Sequence, residues 1–81
     1  MYDPLLSIFQ DNHRKALGKR IRQIRKEKNI SQKELASGCF LSREQIYRVE
    51  LGKKNITLNS LIGIAGVLKV HLKELFDYDV R

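Results

Sequence analysis

Three short stretches of the sequence share one pattern: an aliphatic residue, a serine or threonine, two variable residues, a polar residue and another aliphatic. They are ISQKEL at 30–35, LSREQI at 41–46 and ITLNSL at 56–61. The hydroxyl can cap a helix by accepting a backbone N–H, and the two aliphatic residues have the spacing of a hydrophobic staple. The capping positions are Ser31, Ser42 and Thr57. Repetition of this signature over residues 30–61 predicts several short helices in succession.

Further helices are predicted on both sides of these three starts. Leu17, Ile21 and Ile24 recur at helical spacing and predict a helix from about residue 12 to 28. The last start leads into an apolar stripe of Leu58, Leu61, Ile64, Ala65 and Leu68. A final short helix is expected from 71 to about 77, burying Leu72, Leu75 and Phe76. Since no stretch shows the alternation of polar and apolar residues that is typical of a strand, the predicted fold class is all-α, a compact five-helix bundle.

The ends of the chain are expected to be separate from this bundle. Residues 12–78 form the predicted domain, with 1–11 as an N-terminal extension and 79–81 as a tail. The pair Asp3-Pro4 can begin an additional helical turn, which would carry Leu5, Leu6, Ile8 and Phe9. Four apolar side chains exceed what a loose tail should expose, so they either cover the core or join a subunit interface. Ile62, Val67 and Tyr78 are the other residues proposed for subunit contact.

The charge of the chain restricts the class of partner. Sixteen Lys and Arg oppose nine Asp and Glu, giving a net charge of +7, and residues 14–28 contain a single acid. This excess favours a polyanion, either nucleic acid or an anionic membrane surface. The helix at 12–28 needs its apolar face for the core and cannot also insert it into lipid, so no membrane partner is expected. Its basic run is interpreted either as a solvated face or as a face that contacts a nucleic-acid backbone.

Cysteine usage and the absence of recognisable catalytic patterns indicate an intracellular binding protein. A lone Cys39 excludes an internal disulfide and fits a reducing, cytoplasmic compartment, and the start of the chain lacks signal-peptide features. Cys39 is interpreted as a buried, inert thiol rather than a redox switch. The sequence lacks a paired-carboxylate site, a nucleophile with a base at usable spacing, and a glycine-rich phosphate loop. We therefore expect no enzymatic activity, no cofactor, no metal and no small-molecule ligand.

The second and third predicted helices form a tight pair whose later member carries an unusual polar face. On a helical wheel, Ile46 and Val49 point inward, while the opposite face carries Glu44 and Arg48, flanked by Gln45 and Tyr47, with Arg43 at the helix start. Arginine matches guanine, glutamine matches adenine and glutamate accepts from cytosine, so this face can read base edges. The alternative is a solvated helix whose charges only confer solubility.

Glu50 lies on the inward side of the same helix, where an unpaired carboxylate would be costly. Arg25 lies on the matching edge of the first helix, close to its apolar stripe. We therefore predict a partly buried Arg25–Glu50 ion pair that ties the two helices together and has a structural role.

These patterns resemble the lambda-repressor-like, Cro-type helix-turn-helix family, also called the XRE family. The resemblance rests on LGKRIRQIRKEKNISQKELA, LSREQIYRVELGKKN and LIGIAGVLKVHLKELF, and it places the helix-turn-helix at about 31–51. It implies a DNA-binding transcriptional regulator, usually a homodimer on a two-fold operator, with a recognition helix at 43–50. The DNA-contacting residues it implies are Gln32, Ser42, Arg43, Glu44, Gln45, Tyr47, Arg48, Lys53, Lys54 and Asn55. The short loop GKKNITL also resembles controller proteins of restriction–modification systems.

The sequence departs from the family pattern at the turn, at the end of the recognition helix and in the fourth helix. Phe40 stands where the family has glycine, which suits a left-handed turn. Leu51 replaces a polar residue, which removes one phosphate contact, and Gly63 and Gly66 interrupt the fourth helix. The same fold also serves protein-interaction modules, such as antitoxins or anti-activators with only non-specific DNA affinity, and this remains the alternative function.

Overall fold

The computed structural model describes residues 3–80 of the chain. Five helices follow one another, and this part of the chain contains no strand. They are α1 (Pro4–Glu27), α2 (Gln32–Gly38), α3 (Arg43–Glu50), α4 (Leu58–Leu68) and α5 (Leu72–Leu75). The predicted fold class, an all-α bundle of five helices, is confirmed. No helix within residues 3–80 is both long enough and apolar enough to cross a membrane.

The first helix is longer than the sequence analysis predicted. The extra turn at Asp3-Pro4 and the helix expected from about residue 12 are one continuous helix. Asp3 caps it by accepting the Leu5 backbone N–H at 2.9 Å, and Pro4 occupies the first turn, where its missing N–H costs nothing. No glycine or proline occurs again before Gly18, so nothing interrupts the helix. The predicted boundary between residues 11 and 12 therefore falls inside α1.

The three predicted helix starts are present as capped N-termini. Ser31 accepts the backbone N–H of Glu34 at 3.0 Å, and the Glu34 carboxylate accepts the Ser31 N–H at 3.2 Å. Ser42 and Gln45 form the same reciprocal pair at 3.1 and 2.8 Å. Thr57 caps α4 because its hydroxyl oxygen accepts the backbone N–H of Ser60 at 3.1 Å. The Ser60 side chain makes no reciprocal bond to the Thr57 backbone. These caps fix where each short helix begins, and hence which faces turn inward.

All five helices contribute to the core: α3 packs against α1 and α2, and α4 packs against α2 and α5. Its buried apolar residues are Ile21, Ile24, Leu35, Ala36, Ile46, Val49, Leu61, Ile64, Ala65, Leu68 and Leu75. Two residues expected in the core are outside it: Leu58 is 60% exposed and Phe76 is 44% exposed. Leu58 is the first residue of α4, at the edge of the stripe, and α5 ends at Leu75, before Phe76 could turn inward.

Two glycines let α1 touch the backbone at the end of α3. A Cβ on Gly18 would lie 2.3 Å from the carbonyl oxygen of Val49. Gly52, which follows α3, has a φ of 75°, and a Cβ there would lie 2.6 Å from the Cα of Lys15. Any larger side chain at either position would push the helices apart. The placement of α3 against α1 therefore rests on backbone contact as well as on side-chain packing.

The glycines of α4 differ in their surroundings. A Cβ on Gly63 would lie 3.2 Å from the Cβ of Cys39, so the approach of the α2–α3 turn to α4 gives Gly63 a packing role. A Cβ on Gly66 would meet nothing within 4 Å, and nothing in the structure explains that glycine.

The segment after α5 packs back against α1. The Tyr78 hydroxyl lies 3.1 Å from Nδ1 of His13, and the His13 ring also makes an edge contact with Phe9. Arg20 donates from Nε to the carbonyl oxygen of Glu74 at 2.9 Å. The predicted tail at 79–81 begins just beyond this contact, and residue 81 lies outside the described part of the chain, as do residues 1 and 2 of the predicted extension.

Candidate nucleic-acid interface

The outward face of α3 presents four of the ten residues for which the resemblance implies a DNA contact. Ile46 and Val49 are buried, as the helical wheel requires, and they anchor α3 to the core. The opposite face carries exposed side chains, namely Arg43, Glu44, Tyr47 and Arg48. A face of this kind, with exposed guanidinium, carboxylate and phenol groups on a firmly anchored helix, can contact base edges while the helix stays folded.

Gln45 and Ser42 have a local role in addition to the predicted DNA contact. The Gln45 side-chain oxygen accepts the Ser42 backbone N–H at 2.8 Å, and Gln45 is half-buried. Its amide nitrogen is therefore the end that remains for a ligand, while its oxygen belongs to the helix cap. Ser42 likewise uses its hydroxyl as a cap acceptor, which leaves its hydroxyl proton available as a donor.

Arg48 and Glu44 form an ion pair along the outward face. Nη2 of Arg48 lies 3.1 Å from Oε1 of Glu44, one helical turn away. Both side chains are well exposed, at 59% and 72% respectively. The glutamate precedes the arginine by four residues, which is the favourable order on a helix. Two of the predicted base-reading residues are thus joined before any ligand arrives.

Glu50 is buried and fully bonded behind α3. Arg25 donates from Nε to Oε2 at 2.7 Å and from Nη2 to Oε1 at 3.0 Å, so the pair is bidentate. A third donor, Nη1 of Arg25, bonds the carbonyl oxygen of Ile30 at 2.9 Å. The structure therefore places Arg25 and Glu50 in the contact that the wheel suggested, linking α1, the start of α2 and the end of α3.

Gln32 belongs to this network, which the sequence analysis did not anticipate. Its Nε2 donates to Oε1 of Glu50 at 3.1 Å. The side chain is half-buried at the start of α2, where the resemblance implies a phosphate contact. An amide nitrogen carries two protons, so one remains for an outside acceptor while the other holds Glu50. The phosphate contact itself stays a prediction.

The loop after α3 lies beside its outward face. Lys53 and Lys54 line a shallow hollow together with Glu44, Gln45 and Arg48. Asn55 is bound by α1, because Arg14 donates from Nη1 to its side-chain oxygen at 3.0 Å. The contact between Arg14 and Asn55 was not predicted, since 41 residues separate them and no local pattern connects the two. The loop is therefore fixed at both ends, by Gly52 and by Asn55.

A cationic stripe on α1 lies within the basic run that the sequence indicates to be a solvated or backbone-contacting face, although its individual residues were not named as site residues. It consists of Lys15, Lys19, Arg22 and Lys26, all exposed. Their spacing of four, three and four residues places them on one side of the helix, and this spacing is the signal that could have identified them. The first three line a groove between α1 and α3 that also contains Gln32, Tyr47, Glu50 and Leu51. Leu51, where the family has a polar residue, forms an apolar part of that groove.

Cys39 is half-buried at the end of α2 rather than fully buried as expected. Its thiol donates to the carbonyl oxygen of Leu35 at 3.1 Å. Burial raises the pKa of the thiol above its ordinary value, although hydrogen bonds with the backbone partly oppose this shift. The thiol is therefore protonated at neutral pH, which disfavours the thiolate that redox chemistry needs.

The helices α2 and α3 are short and are joined by a tight turn. The second of them has an outward polar face with cations on both sides. These features define a helix-turn-helix domain of the DNA-binding type. A family model described as helix-turn-helix matches residues 21–75. The chain belongs to this family, and within it to the lambda-repressor-like, XRE type.

Known proteins similar to this chain include regulators and control proteins. Control protein C.BamHI of Bacillus amyloliquefaciens is 39% identical over 69 residues, covering 84% of this chain and 85% of the relative. The restriction-modification controller protein C.AhdI from Aeromonas hydrophila matches with a TM-score of 0.73 and 35% identity, over 74% of this chain and 87% of that one. SinR, a master regulator for biofilm formation solved in complex with DNA, matches with a TM-score of 0.70 and 32% identity, over 75% and 98% of the two chains.

Proposed function

We propose that the protein is a sequence-specific, double-stranded DNA-binding transcriptional regulator of the restriction–modification controller type. The observation that carries this proposal is the outward face of α3: its base-matching side chains are exposed, while the helix beneath them is anchored by Ile46, Val49 and Glu50. On this proposal α3 enters the major groove and the residues at 43–48 contact base edges.

Phosphate contacts would come from the two sides of α3. Lys53, Lys54 and Asn55 lie on one side, and the cationic stripe of α1 lies across the groove on the other. Gln32 would add a contact at the start of α2, using the amide proton that Glu50 does not occupy. Such contacts hold a protein in register on the duplex but do not carry sequence information.

The proposal includes a homodimer on a two-fold operator, because a single α3 contacts too few base pairs for a specific site. Exposed apolar side chains supply surface for the partner copy: Leu5, Leu6, Ile8, Phe9 and Ile62 are each at least half exposed. Val67 and Tyr78, also named from the sequence, are half-buried against their own chain. The controller assignment is supported by C.BamHI and C.AhdI, most of whose length this chain covers. A cytoplasmic location follows from this function.

Selection from a pool of randomised duplexes at near-physiological salt, followed by sequencing, tests the proposal. The expected result is an enriched two-fold motif whose half-sites lie about one helical turn apart. A motif without two-fold symmetry would remove the dimer from the proposal and leave sequence-specific binding. Absence of any motif, with only salt-sensitive binding to every duplex, would contradict the proposal and favour the protein-interaction module.

A further inference from the structure

Glu44 is an acidic residue on a surface otherwise suited to phosphate. Residues 39–55 contain two acids, of which Glu50 is buried and Glu44 is exposed. Glu44 lines a hollow together with Lys53 and Lys54. A carboxylate beside a DNA backbone is repelled by the phosphates unless a cation compensates for it. Arg48 supplies that cation at 3.1 Å. Arg48 therefore offsets the charge of Glu44, so a carboxylate can lie on a surface that would contact DNA.

We infer that Glu44 and Arg48 act as one base-reading unit that recognises a guanine and, at the neighbouring base pair, a cytosine. This inference rests on the proposed function. Arg48 uses one of its five N–H donors on Glu44, and a bidentate contact to guanine O6 and N7 needs only two of those that remain. Glu44 has one carboxylate oxygen in the pair, and a carboxylate can accept further bonds, so it can accept from the cytosine amino group.

The geometry of the pair fits two successive base pairs. Nη2 of Arg48 and Oε1 of Glu44 are 3.1 Å apart, so the guanidinium and the carboxylate lie side by side and can face neighbouring base pairs, which rise by ~3.4 Å along a strand. Their Cα atoms are separated by about 6 Å along the axis of α3, so both side chains leave the same face of the helix. The carboxylate also holds the guanidinium in one orientation before binding, which reduces the conformational entropy lost on the DNA.

A coupled pair makes a distinctive prediction: changing Glu44 must alter preference at two operator positions, including the guanine that Arg48 contacts. The experiment is the duplex selection followed by affinity measurements on single-base variants, with wild type, Glu44→Gln, Arg48→Ala and the double variant. Glu44→Gln should abolish the cytosine preference and lower the guanine preference by about tenfold. In the Arg48→Ala background, Glu44→Gln should produce no further loss at the guanine position.

Glu27→Gln is the matched control, because Glu27 is an exposed acid at the end of α1 whose replacement removes the same charge. It should raise affinity for every duplex slightly and leave the motif unchanged. If Glu44→Gln behaves in the same way, the inference is wrong and the ion pair is only a solvated helix contact. Independent effects of the two α3 variants would also overturn it. A wild-type protein that selects no motif would contradict the proposed function, and the inference with it.

Discussion

At the scale of single residues, Glu50 joins three helices by hydrogen bonds behind the outward face of α3. Its carboxylate accepts two bonds from Arg25 and one from Gln32, and the Arg25 guanidinium also holds the chain at Ile30. Within residues 3–80 no buried side-chain nitrogen or oxygen lacks a hydrogen-bond partner, so this network is fully satisfied. The Glu50 carboxylate therefore joins α1, the start of α2 and the end of α3, and its hydrogen bonds hold α3 against the other two helices.

The first prediction concerns the energy of the Arg25–Glu50 pair. Replacing either partner with alanine should lower the free energy of unfolding by roughly 3–5 kcal/mol, because a buried charge is left unpaired. The double variant should lose less than the sum of the two, since neither charge then remains. Urea denaturation of the four proteins measures the coupling.

The exposed Glu44–Arg48 pair provides the control for this cycle, because it joins the same residue types in solvent. Its coupling should be about 0.2–1 kcal/mol. Equal couplings for the two pairs, or a coupling near zero for Arg25–Glu50, would show that burial does not strengthen the interaction.

At the scale of helices and turns, local signals could be predicted from the sequence and most distant contacts could not. The Arg25–Glu50 pair is the exception, because each residue lies on the inward side of its own helix and a buried charge needs a partner. The caps at Ser31, Ser42 and Thr57 follow from neighbours within three residues, so their helix starts could be predicted. The start of α1 was misplaced because the search followed buried apolar spacing, whereas Leu5 and the apolar residues that follow it remain exposed. The contacts from α1 to Asn55 and Tyr78 join residues 41 and 65 positions apart, and no local pattern encodes them.

The second prediction concerns the turn between α2 and α3. Phe40 has a φ of 59° and its side chain is 97% exposed, so it adopts the conformation that suits glycine and gains almost no burial. Phe40→Gly should raise the free energy of unfolding by about 1 kcal/mol, since the left-handed conformation costs an ordinary residue that much. Thermal or urea denaturation measures the change.

Asn29→Gly is the comparison for the turn variant, because Asn29 has a φ of 57° and asparagine tolerates this region better. Its stabilisation should be the smaller of the two. A loss of stability in Phe40→Gly would mean that the phenylalanine ring makes a favourable contact, contrary to its exposure.

At the scale of the whole molecule, charge is arranged around α3 rather than spread evenly. The cationic stripe of α1 and the lysines at 53 and 54 lie on opposite sides of the outward face, while acids at 74, 77 and 79 lie near the end of the chain. With a net charge of +7, this arrangement should attract a duplex from a distance and orient it before contact. Association should therefore slow as salt is added.

The third prediction separates phosphate contacts from base contacts by their dependence on salt. Lys53→Ala should weaken binding to all duplexes and reduce the slope of log K against log salt by about one unit. Arg43→Ala should instead relax base preference at one operator position. Lys73→Ala, at the exposed position of α5, is the control and should change neither property. The assignment of roles would be wrong if the Lys53 and Arg43 variants behaved alike.

The backbone contact at Gly18 has a consequence for redesign. Because α1 meets α3 through main-chain atoms and the core holds Ile46 and Val49, the side chains at 43, 44, 47 and 48 do not determine where the helix sits. A combinatorial library at those four positions should yield folded proteins with new target sites, provided that 44 and 48 are varied jointly. The scaffold can then be retargeted without being rebuilt.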